Sequence, residues 1–293
     1  DDLFGVHTTG AEVAPVRGAL TWTRDLAGAD LGRPVTAAGM RGDGAVRLAG
    51  GKACATVGEA PALVVHATGK GRTLFLNHAV TGYDNLRNRG EDALLRPAWR
   101  ELLAACGIAA RFAAVRPDGT AIPGVEMAVF RDGPIDYLTV EKHAYECETY
   151  PVGGAIRLDK AMEVYDVRKG KRLGRAEAIP VSLNGLSCAV YSLLPYEVTG
   201  LRVTGPQAVP RGGEAEIAAT VTVKDGAPGP HVIRFDVFRP SGERLWPMIK
   251  TRLREGRATA TLPVAFNEEQ GTWTVTVTDV TTGLSREQKF TVR

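Results

Sequence analysis

The sequence lacks the features that mark membrane proteins and nucleic-acid-binding proteins. Its longest apolar runs fall far short of the roughly 20 residues that a membrane-spanning helix needs. The opening Asp1-Asp2 is unlike the basic start of a cleavable signal. Lys and Arg total 36 against 33 for Asp and Glu, so the net charge of +3 offers little to neutralise phosphates. We therefore expect no membrane span and no nucleic-acid partner.

Cysteine is also scarce, and its spacing excludes several site types. The four cysteines are widely scattered and form no C-x-x-C pair, which argues against a disulfide scaffold, a zinc knuckle and a thioredoxin-type motif. Cys54 and Cys106 lack the glycine-flanked strand-to-helix turn of a nucleophile elbow, so we expect buried thiols. Cys147 and Cys188 fall in one predicted domain and could pair only if their Cα atoms lie within about 7 Å. Spacing alone leaves that pairing open.

Aromatic residues make up only 6% of the chain, which is low for a surface that stacks on sugars. Trp246 is the best candidate for such a platform, because it lies in a stretch without strand alternation. Trp22, Trp99 and Trp273 fit core positions better. The sequence thus offers Trp246 as its one candidate aromatic ligand-binding residue.

The ionisable residues form no recognisable metal or cofactor site. His7, His66 and His78 have no ligand spacing with a carboxylate, and no glycine-rich phosphate loop enters a helix. Glu146 and Glu148 would point to the same face of an extended strand, where two carboxylates could share a proton or a cation. The charges of a solvated edge strand explain them as well. We predict no catalytic, metal or cofactor residue, and retain Glu146 and Glu148 as candidate ligand-binding residues.

The 34 glycines and 17 prolines favour many short strands joined by turns. Residues 1–118 have a mixed α/β pattern, with a hairpin around Gly69-Lys70-Gly71 and a helix over Glu91–Cys106 capped by Gly107. The predicted buried face of this helix comprises Leu94, Leu95, Trp99, Leu102, Leu103 and Cys106.

The rest of the chain has an all-β pattern. Residues 119–197 contain two hairpins, Val125–Phe130 with Ile135–Lys142 and Ala161–Val167 with Arg172–Ala178, which predict a small β-sandwich domain. Residues 198–293 show strict alternation, as in Thr272–Asp279, which predicts an immunoglobulin-like sandwich. The predicted fold class is a mixed α/β N-terminal domain followed by two β-sandwich domains.

Several segments carry a resemblance to a known family. The Asp2-Leu3-Phe4-Gly5-Val6 opening, the Gly69-Lys70-Gly71-Arg72 turn and the Leu102–Ile108 segment resemble the second half of the trimerisation domain of family 42 glycoside hydrolases, the β-galactosidase type. That domain is a relative of the class I glutamine amidotransferase fold. The middle block resembles the small β-sandwich that follows it, through the segments Tyr165–Lys171 and Tyr191–Tyr196. The last block is similar to macroglobulin-like or bacterial immunoglobulin-like modules, through Phe235–Gly242 and Gly271–Val275.

The resemblance implies an accessory role without catalysis. The family's catalytic barrel needs about 250 residues and has no counterpart here, so its catalytic carboxylates correspond to no residue of this chain. We expect a piece of a longer, extracytoplasmic, carbohydrate-active protein that supports oligomerisation and positions a catalytic domain. Its expected partners are an upstream domain or protein, further copies of itself, and carbohydrate. The alternative is a stand-alone carbohydrate- or protein-binding module that acts through the C-terminal immunoglobulin-like domain.

Overall fold

The computed structural model describes most of the chain in two compact units. The described residues are 2–8, 15–22, 36–77, 83–89, 96, 99–100, 103–104, 107–144, 148–245 and 249–293. Residues 1–110 with 145–148 form the first unit, and residues 111–144 with 149–293 form the second. Most described residues lie in strands. No helix in this part of the chain is long and apolar enough to cross a membrane.

The first unit is built on a five-stranded sheet. The strands and the helix that are described in full in this unit are β1 (Val6–His7), β2 (Pro15–Trp22), β3 (Thr36–Asp43), β4 (Arg47–Leu48), β5 (Lys52–Val57), β6 (Ala60–Thr68), β7 (Gly71–Leu76) and α1 (Tyr83–Asn88). The sheet order is β3-β2-β5-β6-β7, and β1 pairs separately with β4. The core beneath the sheet includes Leu20, Val57 and Leu63.

The prediction of a mixed α/β domain over residues 1–118 is not supported by the described residues. Every strand pair that the structure describes in this unit is antiparallel, whereas an amidotransferase-type domain has a parallel sheet joined by helices. The reason lies in the turns. Two residues, Gly69 and Lys70, connect β6 to β7, and Gly69 has a φ of +58°, so a tight hairpin forms where a crossover helix would need a dozen residues.

The predicted helix over Glu91–Cys106 is described only in part. Arg96, Trp99, Arg100, Leu103 and Ala104 are helical. The predicted Gly107 cap is confirmed, because Gly107 has a φ of +76°, its N–H bonds to Ala104, and the next N–H bonds to Leu103. The buried face was wrong at Leu103, which is 48% exposed. The remaining predicted face residues except Trp99 lie outside the described residues.

The middle block is a single six-stranded sheet that curls over its own core. Its strands are β8 (Ala113–Val115), β9 (Val125–Asp132), β10 (Ile135–Lys142), β11 (Val152–Asp166), β12 (Lys171–Leu183) and β13 (Ser187–Leu194). The order is β12-β11-β13-β10-β9, and β8 pairs with the first half of β11 while β13 pairs with the second half. A register shift between Arg157 and Met162 separates the two halves, which lets the sheet enclose the apolar side chains of both.

The start of this block is fastened by a branched ion pair. Arg111 Nε lies 2.8 Å from Asp159 Oδ2, and Arg111 Nη2 lies 2.8 Å from Asp136 Oδ2. Burial of Asp136 disfavours its charge, but hydrogen bonds from Arg131 and Arg111 outweigh this and hold the pKa of Asp136 below its ordinary value. Arg111 precedes β8, so the segment before the predicted boundary at 118 belongs to the middle sheet.

The last block is a two-sheet sandwich of immunoglobulin-like type, as predicted. Its strands are β14 (Val198–Thr204), β15 (Ala208–Val209), β16 (Glu214–Val223), β17 (Val232–Phe238), β18 (Ile249–Arg252), β19 (Arg257–Pro263), β20 (Gly271–Asp279) and β21 (Ser285–Val292). The sheets are β14-β16-β19 and β15-β21-β20-β17-β18. The predicted alternation of β20 is confirmed, because Trp273, Val275 and Val277 are buried in the core between the sheets.

Candidate functional site

The densest buried polar cluster in the described chain joins the middle sheet to the last sandwich. We call it the junction cluster, and its members are Tyr137, Ser192, Tyr196, His231, Asp279, Thr281 and Thr282. Tyr137 and Ser192 lie on the strands β10 and β13, and Tyr196 lies in the linker after β13. His231 directly precedes β17, and the other three members lie at the end of β20 and in the turn that follows it. All of them belong to the second unit.

His231 and Asp279 form the centre of the junction cluster. His231 Nδ1 lies 2.9 Å from Asp279 Oδ2, and both side chains are fully buried. The other carboxylate oxygen accepts the Thr281 N–H at 3.1 Å, and Oδ2 also accepts the Thr282 hydroxyl at 2.6 Å. These donors compensate the cost of burying a carboxylate, which is several kcal/mol for an isolated ion.

Tyr196 connects this pair to the linker that follows β13. Its hydroxyl accepts the Gly229 N–H at 2.6 Å and lies 3.1 Å from His231 Nε2. We assign the Tyr196 proton to His231 Nε2 and the imidazole proton to Nδ1, since Nδ1 faces the carboxylate. Burial is the main cause that raises the pKa of Tyr196 to about 12, so the phenol stays neutral at physiological pH.

The turn between β20 and β21 docks directly onto the middle sheet. The Tyr137 and Thr281 hydroxyl oxygens are 3.0 Å apart, and the Ser192 hydroxyl donates to the Thr281 carbonyl. Nearby, a Cβ added at Gly283 would overlap the backbone of Gly170, so these two turns touch main chain to main chain. Glycine is required at this contact.

Further contacts surround the junction cluster. The Tyr165 hydroxyl accepts the Val198 N–H at 3.1 Å, and Arg172 bridges Glu163 at 2.9 Å and Glu197 at 3.0 Å. Apolar residues of the middle sheet, among them Ile135 and Leu194, belong to the same core cluster as the last sandwich. The middle sheet and the sandwich are therefore joined by both polar and apolar contacts.

The junction cluster resembles a relay of carboxylate, imidazole and hydroxyl, but its burial points to a structural role. A general base must reach the proton that it abstracts, and His231 has no solvent-accessible surface. A hydroxyl with a pKa of about 12 is also a weak nucleophile at neutral pH. This geometry holds two sheets together, and it gives a substrate no access to the imidazole.

The candidate site residues predicted from the sequence lie away from the junction cluster or outside the described residues. Trp246 and Glu146 lie outside the described residues, as do His78, Cys106 and Cys147. Glu148 is half-buried and lies outside the strands.

The cysteines and histidines that are described form no metal or catalytic group. Cys54 is fully buried in β5, and Cys188 is an exposed free thiol on β13. His66 Nδ1 lies 3.3 Å from the Gly50 carbonyl, and His7 is exposed on β1. Among the described residues no group of three His, Cys, Asp or Glu side chains could hold a metal ion.

Two surface features escaped the sequence analysis. Phe266 is 82% exposed, and its ring lies so close to Gly212 that a Cβ there would overlap it. A cavity of about 810 Å³ opens beside β4 and β5, and its described lining consists of Arg47, Glu59 and small or apolar residues without an aromatic ring. An isolated exposed Phe has no periodic signature, so the sequence could not single it out.

The junction residues were also missed, although one of them had a local signal. Asp279 ends an alternating strand and its Oδ1 accepts the N–H two residues on, which is the pattern of an Asx turn. His231 follows a Gly-Pro loop and directly precedes β17, and only the fold brings it to Asp279, 48 positions away.

Comparisons with known proteins do not assign the chain to a family. No protein family's sequence model matches it, and no curated protein matches it in sequence. Similar solved structures include a β-glucosidase from Listeria innocua in complex with glucose, at 18% identity over 33% of this chain and 16% of that one, with a TM-score of 0.25. A Salmonella α2-macroglobulin reacted with methylamine is 12% identical over 96% of this chain and 18% of its own, with a TM-score of 0.29. The structural neighbours thus include a glycoside hydrolase and a macroglobulin, at a similarity that does not establish membership of family 42.

Proposed function

We propose that this chain is a non-catalytic portion of a larger carbohydrate-active protein, outside the cytoplasm, where it supports assembly and positions a catalytic domain. The observation that supports this role is the junction cluster. By joining β10 and β13 to the β20–β21 turn, it makes the middle sheet and the last sandwich one rigid body. A rigid body holds its neighbours at a fixed distance, which a flexible linker cannot do.

The chemistry of the junction cluster supports a fixed connection over a sliding one. Buried hydrogen bonds are directional and costly to break without replacement, so they select one relative arrangement of the two sheets. Apolar contacts alone would tolerate small shifts. The Gly170–Gly283 contact adds a steric limit, because backbone meets backbone there and neither of the two glycines has a side chain that could yield.

The non-catalytic part of the proposal rests on accessibility. The described part of the chain contains two His–carboxylate pairs. Solvent does not reach His231 with Asp279, and the contact of His143 with Glu126 at 3.0 Å lies outside hydrogen-bond geometry. An accessory role needs no such access.

Hydrogen exchange tests the rigid connection. We expect amides of β10 and β20 to open with the same free energy, and Ser192→Ala to lower that shared value or split it into two, because it removes the bond to the Thr281 carbonyl. Ser182→Ala, on an exposed position of β12, is the matched control and should change neither. Two independent opening energies in the unmodified protein would refute the rigid connection.

The intact mass of the native polypeptide tests the larger protein. Immunoprecipitation from the source with an antibody against the last sandwich, followed by mass spectrometry, should yield a mass well above 31.2 kDa. Hydrolysis of nitrophenyl glycosides should accompany the native protein and be absent from the 293-residue chain. A native mass equal to 31.2 kDa, without an associated hydrolase, would refute the accessory role.

A second candidate function is carbohydrate binding by the last sandwich. Phe266, 82% exposed and stacked over a glycine, has the flat open face that sugars stack upon. Loss of glycan affinity in Phe266→Ala, with unchanged assembly, would favour this function over the accessory role.

A further inference from the structure

The two edges of the middle sheet differ in how well they are protected from pairing. Its long edge strands are β12 and β9, at the two ends of the strand order, and the three-residue β8 borders β11 separately. The exposed positions of β12 include charged residues and a proline, namely Lys171, Arg172, Arg175, Glu177 and Pro180. Such residues discourage the addition of a further strand.

The β9 edge has the opposite character at its centre. Ala128, Val129 and Phe130 are consecutive, uncharged and exposed, with Phe130 62% and Val129 38% exposed. Among the described residues no strand pairs with the outer side of β9. An eight-residue edge strand with an apolar exposed centre is a template for another strand.

The free hydrogen-bonding groups of this edge can be identified from the hairpin register. In β9 and β10 the partners include Val129 with Leu138 and Ala128 with Thr139. The His143 N–H bonds to the Gly124 carbonyl at 2.8 Å, which makes this a hydrogen-bonded pair. Bonded and non-bonded pairs alternate along an antiparallel ladder, so the odd-numbered residues of β9 direct their N–H and C=O groups outward. Val129 is the central residue of this set.

We infer that the β9 edge is an interface between two copies of this chain, paired antiparallel about a two-fold axis at Val129. A two-fold axis perpendicular to a continuous sheet pairs residues of equal parity, so Val129 faces its own copy and Ala128 faces Phe130 of the second copy. On the exposed face a small side chain, Ala128, therefore lies opposite a large one, Phe130, on each side of the axis. On the other face Met127 lies opposite the aliphatic stem of Arg131. The outward groups of Met127, Val129 and Arg131 form roughly six backbone hydrogen bonds across the axis.

The ends of β9 limit the pairing to this central stretch. In the same register Glu126 faces Asp132 of the second copy, which is unfavourable unless other charges compensate. Asp132 is ion-paired with Arg252 in its own chain. His143 Nε2 lies 3.0 Å from Glu126 Oε1, outside hydrogen-bond geometry. The interface therefore spans residues 127–131.

This inference deepens the proposed assembly role by naming the surface that carries it. Light scattering on the full 293-residue chain should give a mass about twice 31.2 kDa at high concentration. Val129→Lys places two ammonium groups against each other at the axis and should raise the dimer dissociation constant at least about tenfold. Leu173→Lys is the matched control, because Leu173 is 42% exposed on the other edge strand. It should leave the dimer unchanged, and equal weakening by both variants would overturn the inference.

A cross-link tests the register without relying on a destabilising change. In a Cys188→Ser background, Val129→Cys brings two Cα atoms to about 5.5 Å, within disulfide range, and mild oxidation should yield a covalent dimer. Phe130→Cys separates the equivalent atoms by about 8 Å and should not cross-link. A chain that stays monomeric, or a Phe130→Cys variant that cross-links as fast, would overturn the Val129 axis.

The two proposals fail in different experiments. A native protein well above 31.2 kDa whose isolated chain stays monomeric would preserve the accessory role and overturn the β9 interface. A native mass of 31.2 kDa without an associated hydrolase, together with efficient cross-linking at Val129→Cys, would support the interface and refute the accessory role.

Discussion

His231 Nδ1 lies 2.9 Å from Asp279 Oδ2, and neither side chain has contact with solvent. His231 directly precedes β17 and Asp279 ends β20, so the pair closes the end of the sandwich that faces the middle sheet. Tyr196 extends the connection to the linker. One buried carboxylate thereby orients an imidazole, a phenol and the turn that contacts β10 and β13.

Replacing Asp279 with Asn should destabilise the protein by about 1–3 kcal/mol. The Asp279 carboxylate accepts from His231, Thr281 and Thr282, and an amide nitrogen would oppose at least one of these donors. Urea denaturation of the full chain measures the change. Asp225→Asn removes the same charge at an exposed turn and should stay within about 0.5 kcal/mol of the unmodified protein. Equal effects of both variants would contradict a structural role for the pair.

The stability of the junction should fall in alkaline solution. Burial raises the pKa of Tyr196 to about 12 from an ordinary value of 10.0, so the folded state holds this proton more tightly than the unfolded state. The stability that the protonated Tyr196 hydroxyl contributes is fully present below pH 10 and is lost as the pH rises towards 12. Tyr196→Phe cannot ionise, so its unfolding free energy should depend less on pH in that range. If the unfolding free energy of both proteins changed equally with pH, Tyr196 would not contribute to the loss of stability.

A methyl group at Gly283 should separate the two turns. Gly283 has a φ of +81°, so alanine there is strained, and its Cβ would also overlap the backbone of Gly170. Gly226→Ala is a matched control, because Gly226 has a φ of +77° and an added Cβ would meet nothing within 4 Å. We expect Gly226→Ala to cost roughly 1 kcal/mol from the backbone alone. A larger loss of thermal stability in Gly283→Ala measures the steric contact, and equal losses would exclude it.

Two aromatic substitutions distinguish the accessory role from glycan binding. If the last sandwich binds carbohydrate, Trp246→Ala or Phe266→Ala should lower affinity for an immobilised glycan at least about tenfold, with unchanged mass in light scattering. Trp273→Phe changes a core residue and serves as a control for folding. Unchanged affinity in both the Trp246→Ala and the Phe266→Ala variant would refute binding at these rings.

Local patterns predicted much of the fold and little of the candidate site. The hairpin at Gly69 and the alternation through Trp273 follow from turn chemistry and a period of two, and the structure confirms both. The α/β prediction for the N-terminal block failed because apolar runs of strand length do not reveal whether their partners run parallel or antiparallel. The junction cluster depends on contacts such as Tyr137 with Thr281, 144 positions apart, which no local pattern contains.

The branched ion pair of Arg111 has a practical consequence for truncation. A fragment that starts at residue 119 would lack both Arg111 and β8. Asp136 would lose its ion pair with Arg111, and the first half of β11 would lose the strand that pairs with it on one side. Such a fragment should be poorly soluble, whereas one that starts a few residues before Arg111 keeps the curled sheet intact. The second unit can therefore be expressed separately only if the fragment begins before Arg111, and not if it begins at the domain boundary that the sequence pattern predicts at 118.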